Sequence, residues 1–358
     1  MTAPSIVTPA GLSGLACPIP ISEYPHVLLA HGGGGRLTHM LIQKLFVAAF
    51  ANPALAALHD GAVLDVAGGR IAVSTDSFVV TPRFFPGGDI GSLAVHGTVN
   101  DLAMCGATPL ALTAGFVIEE GLEMEELWRI VQSMQAAAAA AGVAIVAGDT
   151  KVVDRGKGDG LFINTTGIGR VADGIGISPG GARPGDLVLI NGPIAQHGIA
   201  IMSVREGLEF ETTLTSDSAA LHGLVADLLG AVGPAVHVLR DPTRGGVSSA
   251  LNEIAEGSRA GIRLDEAAIP IAEEVRGACE ILGLDPLYVA NEGKVLAIVA
   301  RESADAALAA LRAHPLGRGA TAIGEVVEDH PGRVSMRSRI GGTRVVDMLS
   351  GEQLPRIC

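Results

Sequence analysis

Short apolar runs, each the length of a strand, alternate along the chain with longer segments of helical spacing. Ile71–Val80 predicts a strand with a polar break at Thr75-Asp76-Ser77. A helix follows from Asp89 or Ile90 to Cys105, with Leu93, Gly97, Asn100, Asp101 and Met104 near one side. Leu110–Ile118 predicts a second strand and Glu123–Ala141 a long helix, acidic in its first turn and ended by Gly142. Val143–Ala147 reads as a buried strand that delivers Gly148-Asp149-Thr150-Lys151 at its carboxyl end. The polar glycine loop Asp154–Gly160 is most simply a hairpin turn before a strand from Leu161 to Arg170.

The pattern restarts after Gly180–Pro184. Asp186–Ile190, His237–Arg240, Val295–Ala300 and Ala320–Val327 read as strands, Ile262–Leu264 as an edge-like one, and Val334–Ile340 with Thr343–Val346 as a final hairpin. Helices are expected near 198–206, 219–230, 246–257, 272–282 and 304–313. Two mixed α/β domains follow, 27–180 and 181–346, behind a Pro-rich arm at 1–26 and ahead of a tail at 347–358.

Composition supports this. Hydrophobic residues are 48% and charged ones 18%, enough for two cores and against disorder. A formal charge of −13 argues against nucleic acid or an anionic membrane as partner. No apolar run is long enough to span a bilayer. The start lacks the basic and apolar regions of a signal peptide. Cys17, Cys105, Cys279 and Cys358 form no C-x-x-C pair, which points to a reducing cytoplasm rather than zinc or disulfides. Cys105 and Cys279 read as core residues.

Two glycine loops carry candidate chemistry. His31-Gly32-Gly33-Gly34-Gly35-Arg36 is either an anion-binding loop or a surface hinge, and it lacks the Gly-Lys-Ser/Thr of a P-loop. Asp241-Pro242-Thr243-Arg244-Gly245-Gly246 is either a second such loop or an ordinary helix entry. Asp76, Asp101 and Asp149 are hard oxygen donors suited to Mg²⁺, with Asn100 as a neutral one, or else scattered surface acids. Lys151 shares a strand face with Asp149, where it can hold a phosphoryl group or move a proton. The chain ends Pro355-Arg356-Ile357-Cys358, and a terminal cysteine can enter a narrow cavity as a single side chain.

The motifs around Asp76, Asn100-Asp101, Gly148-Asp149-Thr150-Lys151, both glycine loops, Asn291-Glu292-Gly293-Lys294 and the tail together resemble the HypE hydrogenase-maturation family, in order from about residue 27. That family belongs to the aminoimidazole ribonucleotide synthetase-like superfamily. The resemblance implies two α/β domains, the second an α/β sandwich, a homodimer whose first-domain strands form a barrel, and ATP with Mg²⁺ near that interface. It implies Asp76, Asn100, Asp101 and Asp149 as Mg²⁺–ATP residues, with Asp76, Asp101 and Asp149 toward the metal. Gly33, Gly34 and Gly35 become a lid over phosphates, and Cys358, Lys151 and Glu292 the catalytic residues. It further implies HypF as the enzyme that carbamoylates Cys358, ATP-dependent dehydration to a thiocyanate, and a HypC–HypD complex as cyanide acceptor for the iron of NiFe hydrogenase. A small-molecule kinase or synthetase of the same superfamily, and a metallochaperone using Cys358 with the ten histidines, remain open. The first leaves the terminal cysteine without a use, and no ligand spacing favours the second. From Asp347 to Cys358 the tail reaches about 40 Å if extended.

Overall fold

The computed structural model describes residues 26–207, 214–351, 354 and 356–358; the arm expected at 1–26 and Cys17 fall almost wholly outside it. In chain order the helices are Arg36–Leu41 (α1, continued by a π-helical turn at Ile42–Val47), Pro53–Ala56 (α2), Ile90–Met104 (α3), Met124–Ala140 (α4), Gln196–Arg205 (α5), His222–Val232 (α6), Gly246–Ser258 (α7), Glu273–Leu282 (α8) and Ala304–Ala313 (α9). The strands of the first half are Ala62–Val66 (β1), Gly69–Phe78 (β2), Phe84–Phe85 (β3), Gly88–Asp89 (β4), Ala107–Glu119 (β5), Ala144–Val153 (β6) and Leu161–Val171 (β7). Those of the second are Leu187–Ile190 (β8), Val236–Arg240 (β9), Gly261–Asp265 (β10), Leu296–Val299 (β11), Thr321–Val327 (β12), Val334–Arg337 (β13) and Thr343–Val346 (β14).

The first sheet runs β1-β2-β7-β5-β6, with β5 and β6 parallel and the other pairs antiparallel. Parallel neighbours need a crossover, and α4 supplies it. Helix α3 starts on Asp89, whose carboxylate caps the Gly91 and Ser92 N–H groups, and it is buried along most of its length. Gly97 lets it lie against Phe78; a Cβ there would sit 2.8 Å from the ring. One face of the first sheet is thus closed by α3, and the core includes Phe78, Ile90, Leu93, Leu112 and Ile163.

The second sheet runs β14-β13-β10-β12-β8-β11-β9 and carries an apolar cluster on each face. Ala103 and Met104 of α3 enter one of them, so that helix serves both halves.

Three local expectations are overturned. Val143–Ala147 is not the whole of a buried strand: β6 continues to Val153 at the sheet edge, and nearly all of it is exposed. Loop 154–160 is not a hairpin, because β5 lies between β6 and β7. Ile262–Leu264 is not at an edge, since β10 sits between β13 and β12. Among the described residues no helix is long and apolar enough to cross a membrane.

Candidate active site

The segment before β1, helix α3 and the loop after β9 bring three carboxyls together beside β2. Asp60 precedes β1, Asp101 lies on α3, and Asp241 follows β9; one ligand oxygen from each lies within 4.8 Å of the others. Ser74 donates to Asp101 Oδ2 at 2.6 Å and to the Asp60 carbonyl at 2.9 Å. Arg240 pairs with Asp60 and, at 2.7 Å, with Glu253. Asp60 Oδ2 is buried without a hydrogen bond. His59 Nδ1 is 3.5 Å from it but already accepts the Asp60 N–H at 2.9 Å, so it has no proton to donate.

Burial first, then mutual repulsion, pushes the carboxyls of Asp101 and Asp241 up. Asp101 is held well above the usual range by burial and by Asp241, Asp76 and Asp60. Asp241 is pushed to about 8 by burial and Asp60, with Arg240 opposing. Buried carboxylates crowded against one another, with one oxygen orphaned, are what a hard divalent cation relieves, so the donor set fits Mg²⁺.

Asp76 adjoins this cluster. Its carboxyl is raised by burial, with opposition from Arg244, 3.9 Å away, and from the Ser77 N–H. Arg244 donates to the Gly32 carbonyl at 3.1 Å, so the two glycine loops touch. A Cβ on Gly34 would meet the Arg244 carbonyl at 2.6 Å, and one on Gly35 the Leu349 carbonyl at 2.3 Å. Gly33 lies in the same bend. These glycines therefore let three backbone segments cross, the last being the root of the tail.

The tail turns inward. Ile357 and Cys358 are buried and join the first-half core. The Cys358 thiol meets the Glu292 carboxyl; burial, Glu292 and Asp76 drive it far above the ordinary thiol range, with Arg244 opposing. Glu292 is 3% exposed and also raised, chiefly by burial and then by Asp241, Asp76 and Asp217. Its Oε1 has no hydrogen-bond partner. The pocket thus sets a carboxyl and a thiol, both raised by burial, against each other.

Asn100 fixes this corner. It donates to the Ala219 and Glu292 carbonyls at 3.0 and 3.2 Å and accepts the Leu221 N–H at 2.7 Å. Its amide is spent on holding the Glu292 main chain, not turned toward a ligand.

Asp149 and Lys151 are elsewhere. Register places Asp149 in one row with Gly115, Asn164 and Ser77, while Asp76 is in the next row with Thr165. Adjacent rows face opposite sides of a sheet. Thr165 is buried under α3 and Asn164 is exposed, so Asp149 and Lys151 occupy the uncovered face. They form an exposed pair at 2.7 Å, which lowers the Asp149 carboxyl. Within one chain, Asp149 does not join the Asp60–Asp101–Asp241 cluster, and Lys151 does not join Cys358 and Glu292.

Sequence reasoning missed Asp60 as a ligand, along with β1, a short apolar run closed by Gly68-Gly69. Asp241 was visible at the head of the second glycine loop, and only its acidity went unused.

Residues 58–171 match the N-terminal domain, and 183–337 the C-terminal domain, of the AIR synthase related proteins. The carbamoyl dehydratase HypE of Cupriavidus necator is 61% identical over 92% of this chain and 94% of its own. A crystal structure of a HypE–HypF complex has TM-score 0.82 and 50% identity, covering 86% of this chain and 99% of that one. HypE in complex with ATP has TM-score 0.79 and 52% identity, covering 93% of this chain and 100% of that one. With the two domain models matched and this identity held over nearly the whole length, the chain belongs to the carbamoyl dehydratase HypE family.

Proposed function

We propose that this chain dehydrates a carbamoyl group carried on Cys358 to a thiocyanate at the expense of ATP, as the source of cyanide for hydrogenase iron. The observation that carries the reading is the inward tail: the terminal sulfur is buried against Glu292, beside the acidic cluster. A free small-molecule substrate would have to displace that tail, which weighs against a kinase or synthetase.

The chemistry asks for a leaving group. Transfer of a phosphoryl group from ATP to the carbamoyl oxygen turns that oxygen into phosphate. Loss of phosphate and of both nitrogen protons leaves the nitrile on sulfur. Glu292 sits against the Cys358 sulfur, where, once ionised, it can receive a proton from the nitrogen of the group that sulfur carries. Arg244 is placed to hold negative charge beside Asp76. Asp60, Asp101 and Asp241, with Asp76 beside them, would hold Mg²⁺, which when bound neutralises phosphate oxygens.

Lys151 acts from the other face of the sheet. Strand β6 is exposed along nearly its whole length, with Val146 65% and Val152 67% exposed. We read it as the contact between two copies, so that Lys151 and Asp149 serve a site completed by the partner subunit. HypF as carbamoyl donor, a HypC–HypD complex as acceptor and a cytoplasmic location complete the proposal. The test is the mass of the C-terminal peptide after treatment with HypF, carbamoyl phosphate and ATP. Loss of one water from a carbamoylated Cys358 is expected, and modification at any other residue would sink the assignment.

A further inference from the structure

Two of the three clustered acids have only one oxygen each left to offer a ligand. Asp60 is fixed by Arg240, at the end of β9. Arg240 Nη1 donates to Asp60 Oδ1, and Nη2 donates to Glu253 Oε2 on α7 at 2.7 Å. The planar guanidinium therefore spans an acid from each half of the chain, with the side chains of Asp60 and Arg240 only 6% and 22% exposed. A fork held at both ends keeps one orientation, which the flexible point charge of a lysine would not. Asp60 Oδ2 is the oxygen left over, buried and without a hydrogen bond.

Asp101 is limited in the same way. The hydroxyl of Ser74, buried on β2, lies 2.6 Å from Asp101 Oδ2. It also lies 2.9 Å from the Asp60 carbonyl, so its place is set by the segment that carries Asp60. Cations differ in what they ask of such a set. Ca²⁺ takes roughly six to eight oxygens and often both from one carboxylate. Mg²⁺ is smaller and octahedral, and fills most of its positions with water or phosphate oxygens beside one or two carboxylates. Carboxylates confined to one oxygen each suit Mg²⁺ and leave Ca²⁺ short of ligands.

We propose that Arg240, clamped by Glu253, and Ser74 hold Asp60 and Asp101 as one-oxygen ligands and thereby select Mg²⁺ over Ca²⁺ at the cluster. They are positioning residues, acting on the cation through the two acids. The inference rests on the reading of Asp60, Asp101 and Asp241 as the cation site.

The test uses the full chain without nucleotide, titrated with Mg²⁺ alone or Ca²⁺ alone. The gain in thermal midpoint gives a half-saturating concentration for each. Their ratio is the readout: altered global stability or competition with protons acts on both cations alike, so a merely structural role would not move it. Arg240→Met frees Asp60 Oδ1 and removes a positive charge. Both cations should bind more tightly, and the preference for Mg²⁺ should fall about tenfold. Arg240→Lys keeps the charge but cannot hold both acids, and the preference should fall about threefold; this variant decides should Arg240→Met fail to fold. Ser74→Ala should lower it by a similar factor. A wild-type chain that gains as much from Ca²⁺ as from Mg²⁺, or a ratio unchanged in Arg240→Lys or in Ser74→Ala, would overturn the proposal. Asp101→Asn should remove most of the gain with either cation. Full gains in that variant would fail the cluster as the cation site, whereas gains lost there with an unchanged ratio in the Arg240 variants would fail the selectivity alone.

Discussion

At the scale of single residues, several buried acids hold their protons more tightly than free ones. In the folded chain Asp241 titrates at about 8, and Asp101 and Glu292 are also raised. Above about pH 4 the unfolded chain loses these protons while the folded chain keeps them. This contribution is therefore complete below the unfolded carboxylate values and is lost as pH rises toward about 8. A cation held by the cluster must displace those protons. Mg²⁺ should raise the thermal midpoint more at about pH 8.5 than at about pH 6, and Asp241→Asn should flatten the difference; equal gains at both values would count against the cluster as the metal site. Glu292→Gln, which keeps the shape of the side chain, should keep the inward tail yet lower dehydration by about 10²–10⁴-fold. Single-turnover mass analysis of the C-terminal peptide reads this. Glu292 was singled out only through the family resemblance of its Asn-Glu-Gly-Lys setting. Its burial was not legible, because that arises from segments contributed by α3, loop 217–221 and the tail.

At the scale of elements, the glycine loop and β6 show how far pattern reading goes. The helices and most strands were legible because period and punctuation agree, as in α3 with its Asp89 cap and α9 with its apolar stripe. Strand pairing was not legible. The same residues between β6 and β7 serve a hairpin or a crossover, and only the position of β5 decides. That decision moves Asp149 and Lys151 to the face opposite Asp76. Lys151→Ala should let carbamoylation proceed while dehydration stops. Full dehydration in that variant would remove Lys151 from the reaction. The four glycines read equally well as a phosphate cradle or a hinge. Their contacts add a third duty, since the loop is hydrogen-bonded to the tail root through Arg36 and Leu349 at 2.9 Å. Gly35→Ala, whose Cβ would press on the Leu349 carbonyl, should speed Cys358 alkylation even without ATP; an unchanged rate would uncouple loop from tail.

At the scale of the whole molecule, one chain holds the sulfur, the acid and the cation site, and leaves a lysine-bearing strand uncovered. On the proposed function two copies joined through β6 would resolve this, and sedimentation should then give a dimer. Val146→Lys, which places charge on that exposed edge, should yield monomers that accept the carbamoyl group but do not dehydrate it. If Cys358 is loaded as proposed, the tail has to leave its groove, and Gly351, at φ 83°, is a point where the chain can turn. The central claim is that Cys358 is substrate-bearing and that the buried site removes water from what it carries. The most direct measurement is the intact mass of the C-terminal peptide after HypF and carbamoyl phosphate, with and without ATP. The account predicts a carbamoyl adduct on Cys358 without ATP and the same adduct less one water with it. An ATP-independent mass, or an adduct on another residue, would contradict it.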